Sequence, residues 1–201
     1  RPEAGWIALP FNVKDARFHL GRTGAVVDPV REFVAGTNHD YYFVNTGLAI
    51  TGHEGHGVGL NSPDAPAISM ERPGLYRFSG SFKPEIPTVF INLYNNQWGT
   101  NFTEWIEGSW SVNIYIWGID GYDNESGLIT PAEETRQPLT GWYFDGSEGE
   151  MPLKADGIRI SSKGILVTSY SHDRESGSYL LRLWEQAGRS GICEITLPMK
   201  S

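Results

Sequence analysis

Apolar and polar side chains alternate with a period of two along most of this chain, and clusters of Gly, Pro, Asn and Asp interrupt the alternation at short intervals. A period of two sets successive side chains on opposite faces of a β-strand, so the pattern predicts many strands joined by turns. The clearest strand is Trp110 to Trp117. Its Trp110, Val112, Ile114 and Ile116 form a face set to pack, and its Ser111, Asn113, Tyr115 and Trp117 form an outward polar and aromatic face. Further strands are predicted at Trp6 to Phe11, Tyr41 to Val44, Ala67 to Glu71, Leu75 to Phe78 and Thr88 to Tyr94. Another group follows at Gly157 to Ser161, Gly164 to Tyr170, Tyr179 to Glu185 and Gly191 to Leu197, and these last four read as a meander. The turn sequences Ser161-Ser162-Lys163-Gly164 and Asp173-Arg174-Glu175-Ser176-Gly177 suit antiparallel hairpins better than βαβ crossovers.

Helical signals are scarce. Thr130-Pro131-Ala132-Glu133 has the form of a capping box with Pro at the first helical position, and it predicts one short helix that Pro138 ends; Asp28-Pro29 could begin a second. No internal repeat or low-complexity linker divides the 201 residues. The expected architecture is therefore all-β, a large antiparallel β-sandwich forming one domain over residues 1–201 with at most one or two short helices.

Charge and composition narrow the function. The formal net charge of -8 is spread along the chain with no Lys/Arg cluster, so no patch concentrates enough positive potential to hold a phosphate backbone, and no nucleic-acid partner is expected. No apolar run approaches the roughly 18 residues that cross a bilayer, and no membrane partner is expected. The single cysteine, Cys193, alternates in phase with Ile195 and Leu197 and reads as a core residue. Arg1-Pro2-Glu3-Ala4-Gly5 carries neither an initiator Met nor a signal pattern, and the chain is expected to be a fragment of a larger, multidomain protein. The 7 Trp, 9 Tyr and 9 Phe stand out against these totals; core packing accounts for part of them, and the rest suit surfaces that bind sugar rings or proteins.

The richest chemistry lies in Asn92-Leu93-Tyr94-Asn95-Asn96-Gln97-Trp98-Gly99-Thr100-Asn101-Phe102-Thr103-Glu104-Trp105, directly after an apolar strand. Amides donate and accept as sugar hydroxyls do, and indoles offer flat apolar faces to a pyranose ring. Asn95, Asn96, Trp98, Thr100, Asn101 and Trp105 are the candidate carbohydrate-binding residues. The same amides could instead satisfy backbone groups in a structural loop.

Asn95-Asn96-x-Trp98-x-Thr100-Asn101-Phe102, followed by Gly108 and an alternating strand, resembles a motif in the C-terminal β region of family 38 glycoside hydrolases, the α-mannosidases and their bacterial relatives. Asn61-Ser62-Pro63-Asp64-Ala65-Pro66 and the stretch from Leu183-Trp184-Glu185-Gln186-Ala187-Gly188 to Leu197-Pro198 are weaker echoes in the same order, so the resemblance spans roughly residues 60 to 198. It implies a supersandwich of the galactose mutarotase class and a catalytic domain elsewhere in the same polypeptide, which would hold the nucleophile and a zinc ion. In that setting Asn95, Asn96, Trp98, Thr100 and Asn101 would shape the sugar pocket or the interdomain contact, and this chain would carry no catalytic residue and no cofactor of its own.

Other constellations are weaker. Thr51-Gly52-His53-Glu54-Gly55-His56-Gly57 lacks helical spacing and a third ligand, and reads as a Gly-rich turn with solvated imidazoles in place of a zinc site. His39-Asp40 and His172-Asp173 are neighbours that a strand would point to opposite faces. Glu104 and Glu107 are the best candidates for a self-contained hydrolase, while Glu133 and Glu134 belong on a solvated helix end. Asn101-Phe102-Thr103 and Asn124-Glu125-Ser126 fit the glycosylation sequon. Three readings stand: the C-terminal β domain of a family-38-like glycosidase, a free-standing carbohydrate-binding module, and a structural domain whose exposed Tyr115 and Trp117 mark a protein interface.

Overall fold

The structure is a computed structural model that describes residues 3–23, 25–75, 77–97, 105, 107–146, 149 and 154–198. Two antiparallel sheets form its centre. The first has the order β1-β8-β7-β4, from β1 (Ala4–Pro10), β8 (Thr88–Asn95), β7 (Ala67–Met70) and β4 (Tyr42–Phe43). The second has the order β3-β2-β5-β6-β9, from β3 (Ala25–Val27), β2 (Arg17–Arg22), β5 (Leu48–Thr51), β6 (Gly57–Asn61) and β9 (Tyr115–Ile119). The two sheets share one core: Phe18, Leu20, Leu48, Ile50 and Leu60 of the second pack with Tyr42, Ile68, Met70, Val89 and Ile91 of the first. These residues pair across their strands, with Phe18 opposite Ile50, Leu48 opposite Leu60, Ile68 opposite Ile91 and Met70 opposite Val89. Each side chain withdrawn from water in this way contributes about 1.5–3 kcal/mol. The fold is an all-β antiparallel sandwich, as the periodicity predicts.

The second sheet is buried on its other face as well. A row of partners, His19, Ala49, Gly59 and Trp117, crosses β2, β5, β6 and β9 on that face. A π-helical stretch, Asn124–Ile129, runs directly into α1 (Thr130–Arg136) and covers the row, so that Leu128 packs with Ala49 and Ile119. Two contacts fix the cover. The Trp117 indole lies against Gly59, where an added Cβ would come within 2.2 Å of the ring, and its Nε1 donates to the Gly127 carbonyl at 3.0 Å. At the other end of the row the His19 ring stacks on Tyr122 at 3.9 Å and its Nε2 bonds Thr51 Oγ1 at 2.9 Å. Burial holds the His19 pKa below its ordinary value; Asp28 pulls it up and Arg17 pushes it down by smaller amounts.

The helical signal at Thr130 is real, but its cap is elsewhere. Asp123 caps the π-helical stretch, accepting from Glu125 N at 2.8 Å and Ser126 N at 3.2 Å, and the Thr130 hydroxyl donates to Glu125 Oε1 at 2.8 Å in place of forming a box with Glu133. α1 is tied to the sandwich by Asn61, whose Nδ2 donates to Thr135 Oγ1 at 2.7 Å, and by Arg136, which donates to the Asn45 carbonyl at 3.0 Å. Asp28-Pro29 starts only a turn, in which Glu32 N donates to the Asp28 carbonyl at 2.9 Å.

Several strand expectations are corrected. Residues 75 and 77–78 are not in a strand, and the strand foreseen over Trp110 to Trp117 begins only at Tyr115. Val112 and Ile114 do pack on the core, but Trp110 is 54% exposed, and Trp117 and Ile119 pack beneath the helical cover. Trp117 is therefore an internal packing residue and no interface marker, whereas Tyr115 remains partly exposed. The last strands are no meander: β10 (Arg159–Ile160) pairs with β13 (Ile195–Thr196), and between them β11 (Ile165–His172) and β12 (Tyr179–Glu185) form a separate hairpin turned at Asp173–Gly177. Cys193 is only partly buried, and the Ile195 and Leu197 expected beside it in the core are exposed. The base of the hairpin is anchored by Arg189, which reaches Asp123 at 2.7 Å and Glu125 at 3.8 Å. No helix among the described residues is long and apolar enough to cross a membrane.

Gly59→Val should displace the indole and lower stability by about 1–3 kcal/mol or more in denaturant unfolding. Gly118→Ala, in the adjacent strand with open space around it, should stay within about 0.5 kcal/mol. The His19 shift sets a pH dependence. Below about pH 6.5 the unfolded chain takes up a proton that the folded chain refuses, so stability is full above that pH and falls as pH drops towards the folded pKa. His19→Gln should flatten the plot of Tm against pH between about 7 and 5.5, where the imidazole titrates.

Candidate functional site

The candidate segment starts where β8 leaves the first sheet beside β1. A bulge between Gly5 and Trp6 interrupts the β1–β8 ladder and sets Asn92 and Tyr94 to different tasks. Asn92 is buried and spends its amide on the fold: Nδ2 donates to the Gly5 and Tyr94 carbonyls, each at 3.1 Å, and Oδ1 accepts from the Tyr41 hydroxyl at 3.1 Å. That phenol, edge-on to Trp6 at 6.1 Å, has its pKa raised by burial. Tyr94 lies over Gly5, and its ring meets Trp110 edge to face at 5.7 Å; both are exposed.

Asn95 and Asn96 are only partly buried, yet both have backbone duties. Asn95 Oδ1 accepts from Gln97 N at 2.8 Å, the local loop that short amides favour, and Asn96 Oδ1 accepts from Glu3 N at 2.5 Å while Asn96 N donates to the Glu3 carbonyl at 3.0 Å. The carbonyl ends of the two amides thus hold the exit from β8 in place. Trp105 is 62% exposed, with Nε1 donating to Glu107 Oε1 at 3.2 Å. Trp98, Thr100, Asn101 and Glu104, and with them the sequon at Asn101, lie outside the described residues. Of the six predicted site residues the structure thus describes Asn95, Asn96 and Trp105, and it adds an aromatic pair, Tyr94 and Trp110, that the alternation had assigned elsewhere. An aromatic at the solvent end of β8 facing the first aromatic after Gly108 is the signal that could have found the pair.

The Asp64-Ala65-Pro66 segment lies beside the same chain region. Asp64 Oδ2 accepts from both the backbone N and Nδ2 of Asn113, each at 2.8 Å, and these bonds hold its carboxyl below the usual range. Other candidates have structural roles. The His53 to His56 stretch is the tight turn between β5 and β6, as its glycines predict; His56 Nδ1 pairs with Asp120 at 2.8 Å on the surface. Among the described residues no three His, Cys, Asp or Glu side chains come together as metal ligands. Asp40 is buried and receives Arg72 and Ser79 N, each at 2.7 Å, while His39 Nδ1 faces the Phe82 carbonyl at 3.3 Å, so the two neighbours have separate partners. His172 instead leans on Tyr179, and Asp173 caps its own turn.

Apolar exposure is concentrated after α1. Leu139, Trp142, Tyr143 and Phe144 are almost fully exposed, Trp142 at 94%. The β11–β12 hairpin likewise leaves Tyr170, Tyr179, Leu180 and Leu183 in the open, with the two tyrosines stacked at 5.6 Å.

Asn92→Ala should cost about 1–3 kcal/mol because it removes a buried amide that holds the Gly5 and Tyr94 carbonyls and the Tyr41 hydroxyl, whereas Trp105→Ala should change stability by no more than about 0.5 kcal/mol in the same unfolding assay. Compared with protein-family models, curated proteins and solved structures, the chain matches none.

Proposed function

We propose that this chain is the β-sandwich module of a glycoside hydrolase resembling family 38, of the α-mannosidase type, and that the segment from Tyr94 to Trp110 helps to complete the sugar site or the contact of a catalytic domain carried by the same polypeptide. The observation that carries the reading is the position of the amide and indole motif. It begins where β8 ends, with Asn95 and Asn96 pinned by backbone bonds, Tyr94 next to them in the chain paired with Trp110 in solvent, and Trp105 exposed further along the segment. Rigid amides next to open aromatic faces are the chemistry that a pyranose requires. The exposed run from Leu139 to Phe144 and the uncovered β11–β12 hairpin favour a neighbouring domain, since an isolated module has nothing to cover them. The finer assignment, to a supersandwich of the galactose mutarotase class, rests on the motif resemblance, as does the expectation of zinc in the partner domain. The described residues of this chain do not bring three metal ligands together.

A second reading is a free-standing carbohydrate-binding module, favoured by the Tyr94–Trp110 pair standing in solvent. The chain alone should not hydrolyse an aryl α-mannoside; hydrolysis that disappears in Glu107→Gln would overturn the module reading. Saturable quenching of Trp fluorescence by a mannose-type glycan, weakened in Trp110→Ala, would favour the free-standing module. A glycan array without hits would favour a role completed only by the catalytic domain.

A further inference from the structure

A cleft of about 280 Å³ opens between α1 and the base of the β11–β12 hairpin. Ile129, Ile165 and Leu166 form its apolar side, and Glu133, Glu134 and Gln186 supply its polar groups. The hairpin base closes tightly on itself, with Gln186 N donating to the Gly164 carbonyl at 2.9 Å, and it lies against the helical segment: a Cβ added at Gly164, which has a φ of 80°, would come within 2.6 Å of the Ala187 Cβ and 3.4 Å of Glu125 Cγ. Binding sites for small molecules have this build, apolar walls with a few convergent polar groups, and the volume lies at the small end of their range.

Gln186 is the unexplained member. It is only 8% exposed, and its Nε2 is buried with no hydrogen-bond partner among the described residues. A buried amide without its bonds is unfavourable, and a Leu of similar size would avoid the penalty, so the fold alone does not account for a glutamine here. A hydroxyl is the group that answers the amide in either orientation, because it both donates and accepts. The carboxylates of Glu133 and Glu134 would accept from further hydroxyls, and the two isoleucines and the leucine suit the C–H face of a ring. An anion is disfavoured by the two carboxylates. A divalent cation is disfavoured because Glu133 is already paired with Arg136 at 3.3 Å.

We propose that this cleft binds a single sugar ring or a comparable polyol through the Gln186 amide and the Glu133 and Glu134 carboxylates. The site is built from other elements than the end of β8 and does not depend on the glycosidase reading. The test is NMR titration of the ¹⁵N-labelled chain with methyl α-mannopyranoside and methyl α-glucopyranoside, and in parallel with calcium chloride. Saturable shifts of the Gln186 side-chain amide and of the Gly164 to Leu166 backbone amides with a glycoside are expected, at a dissociation constant on the order of 1 mM. Gln186→Leu should weaken binding about tenfold while keeping or raising Tm, the signature of a residue retained for a ligand and not for stability. Glu134→Ala, at an exposed position that does not threaten folding, should weaken it as well. The proposal is overturned if neither glycoside shifts these amides, if calcium alone does, or if both variants bind unchanged. Shifts confined to Tyr94 to Gln97 would also overturn it, while supporting sugar recognition at the end of β8.

Discussion

The arrangement rests on one constraint: the sheet that contains β2, β5 and β6 must be covered on both faces. Its inner face is covered by the opposite sheet. Its outer face presents the row His19, Ala49, Gly59 and Trp117, small in the middle and aromatic at the ends, so a helical segment can settle into the row with Leu128 at its centre. Gly59 leaves room for the indole, the indole bonds the Gly127 carbonyl, and the stretch so positioned places Asp123 and Glu125 where Arg189 can reach them. The hairpin that bounds the cleft is therefore held, through the π-helical stretch, by the packing of Trp117 on Gly59.

The same double burial explains which elements the sequence disclosed. β8 and β12 were legible, the first because its inward Val89 and Ile91 alternate with less buried neighbours, the second because it is a two-sided strand between Gly-containing turns. β5 was not, since all four of its residues, Leu48, Ala49, Ile50 and Thr51, are buried and a strand covered on both faces loses its alternation. β6 was hidden for a related reason: Gly57 and Gly59 leave it little side-chain pattern to read. Of the face that alternation set to pack in the strand ending at Trp117, Val112 and Ile114 do reach the core while Trp110 and Ile116 are exposed, and alternation could not say that Trp117 would meet a helical segment in place of solvent.

The candidate site was legible as chemistry and less so as geometry. An amide-rich stretch admits both a ligand-binding and a loop-building interpretation, and the described part of it contains both: Asn92 is consumed by the bulge, Asn95 and Asn96 commit their carbonyl oxygens to backbone, and Tyr94, Trp105 and Trp110 keep their faces in solvent. The division follows burial, because an amide enclosed by protein must be satisfied there and an exposed indole need not be. Gln186 had no such signal. It sits in a short stretch after β12 that reads as a turn, and its burial arises only where the hairpin base folds beside the helical segment.

Two kinds of surface remain after the sandwich and its helical cover are accounted for. The run from Leu139 to Phe144 and the β11–β12 hairpin leave apolar and aromatic side chains exposed, the surface that the proposed neighbouring domain would cover. The cleft beside α1 is small and mixed in polarity, with a buried amide nitrogen that has no hydrogen-bond partner among the described residues, the build of a site for the compact polyol proposed above. Both features border the helical segment, since α1 walls the cleft on one side and leads into the exposed aromatic run on the other. A protein neighbour settling on Trp142 to Phe144 would thus bear on the element that shapes the cleft, and the hairpin base on the other side is tied to the helical segment by the pairing of Arg189 with Asp123 and Glu125.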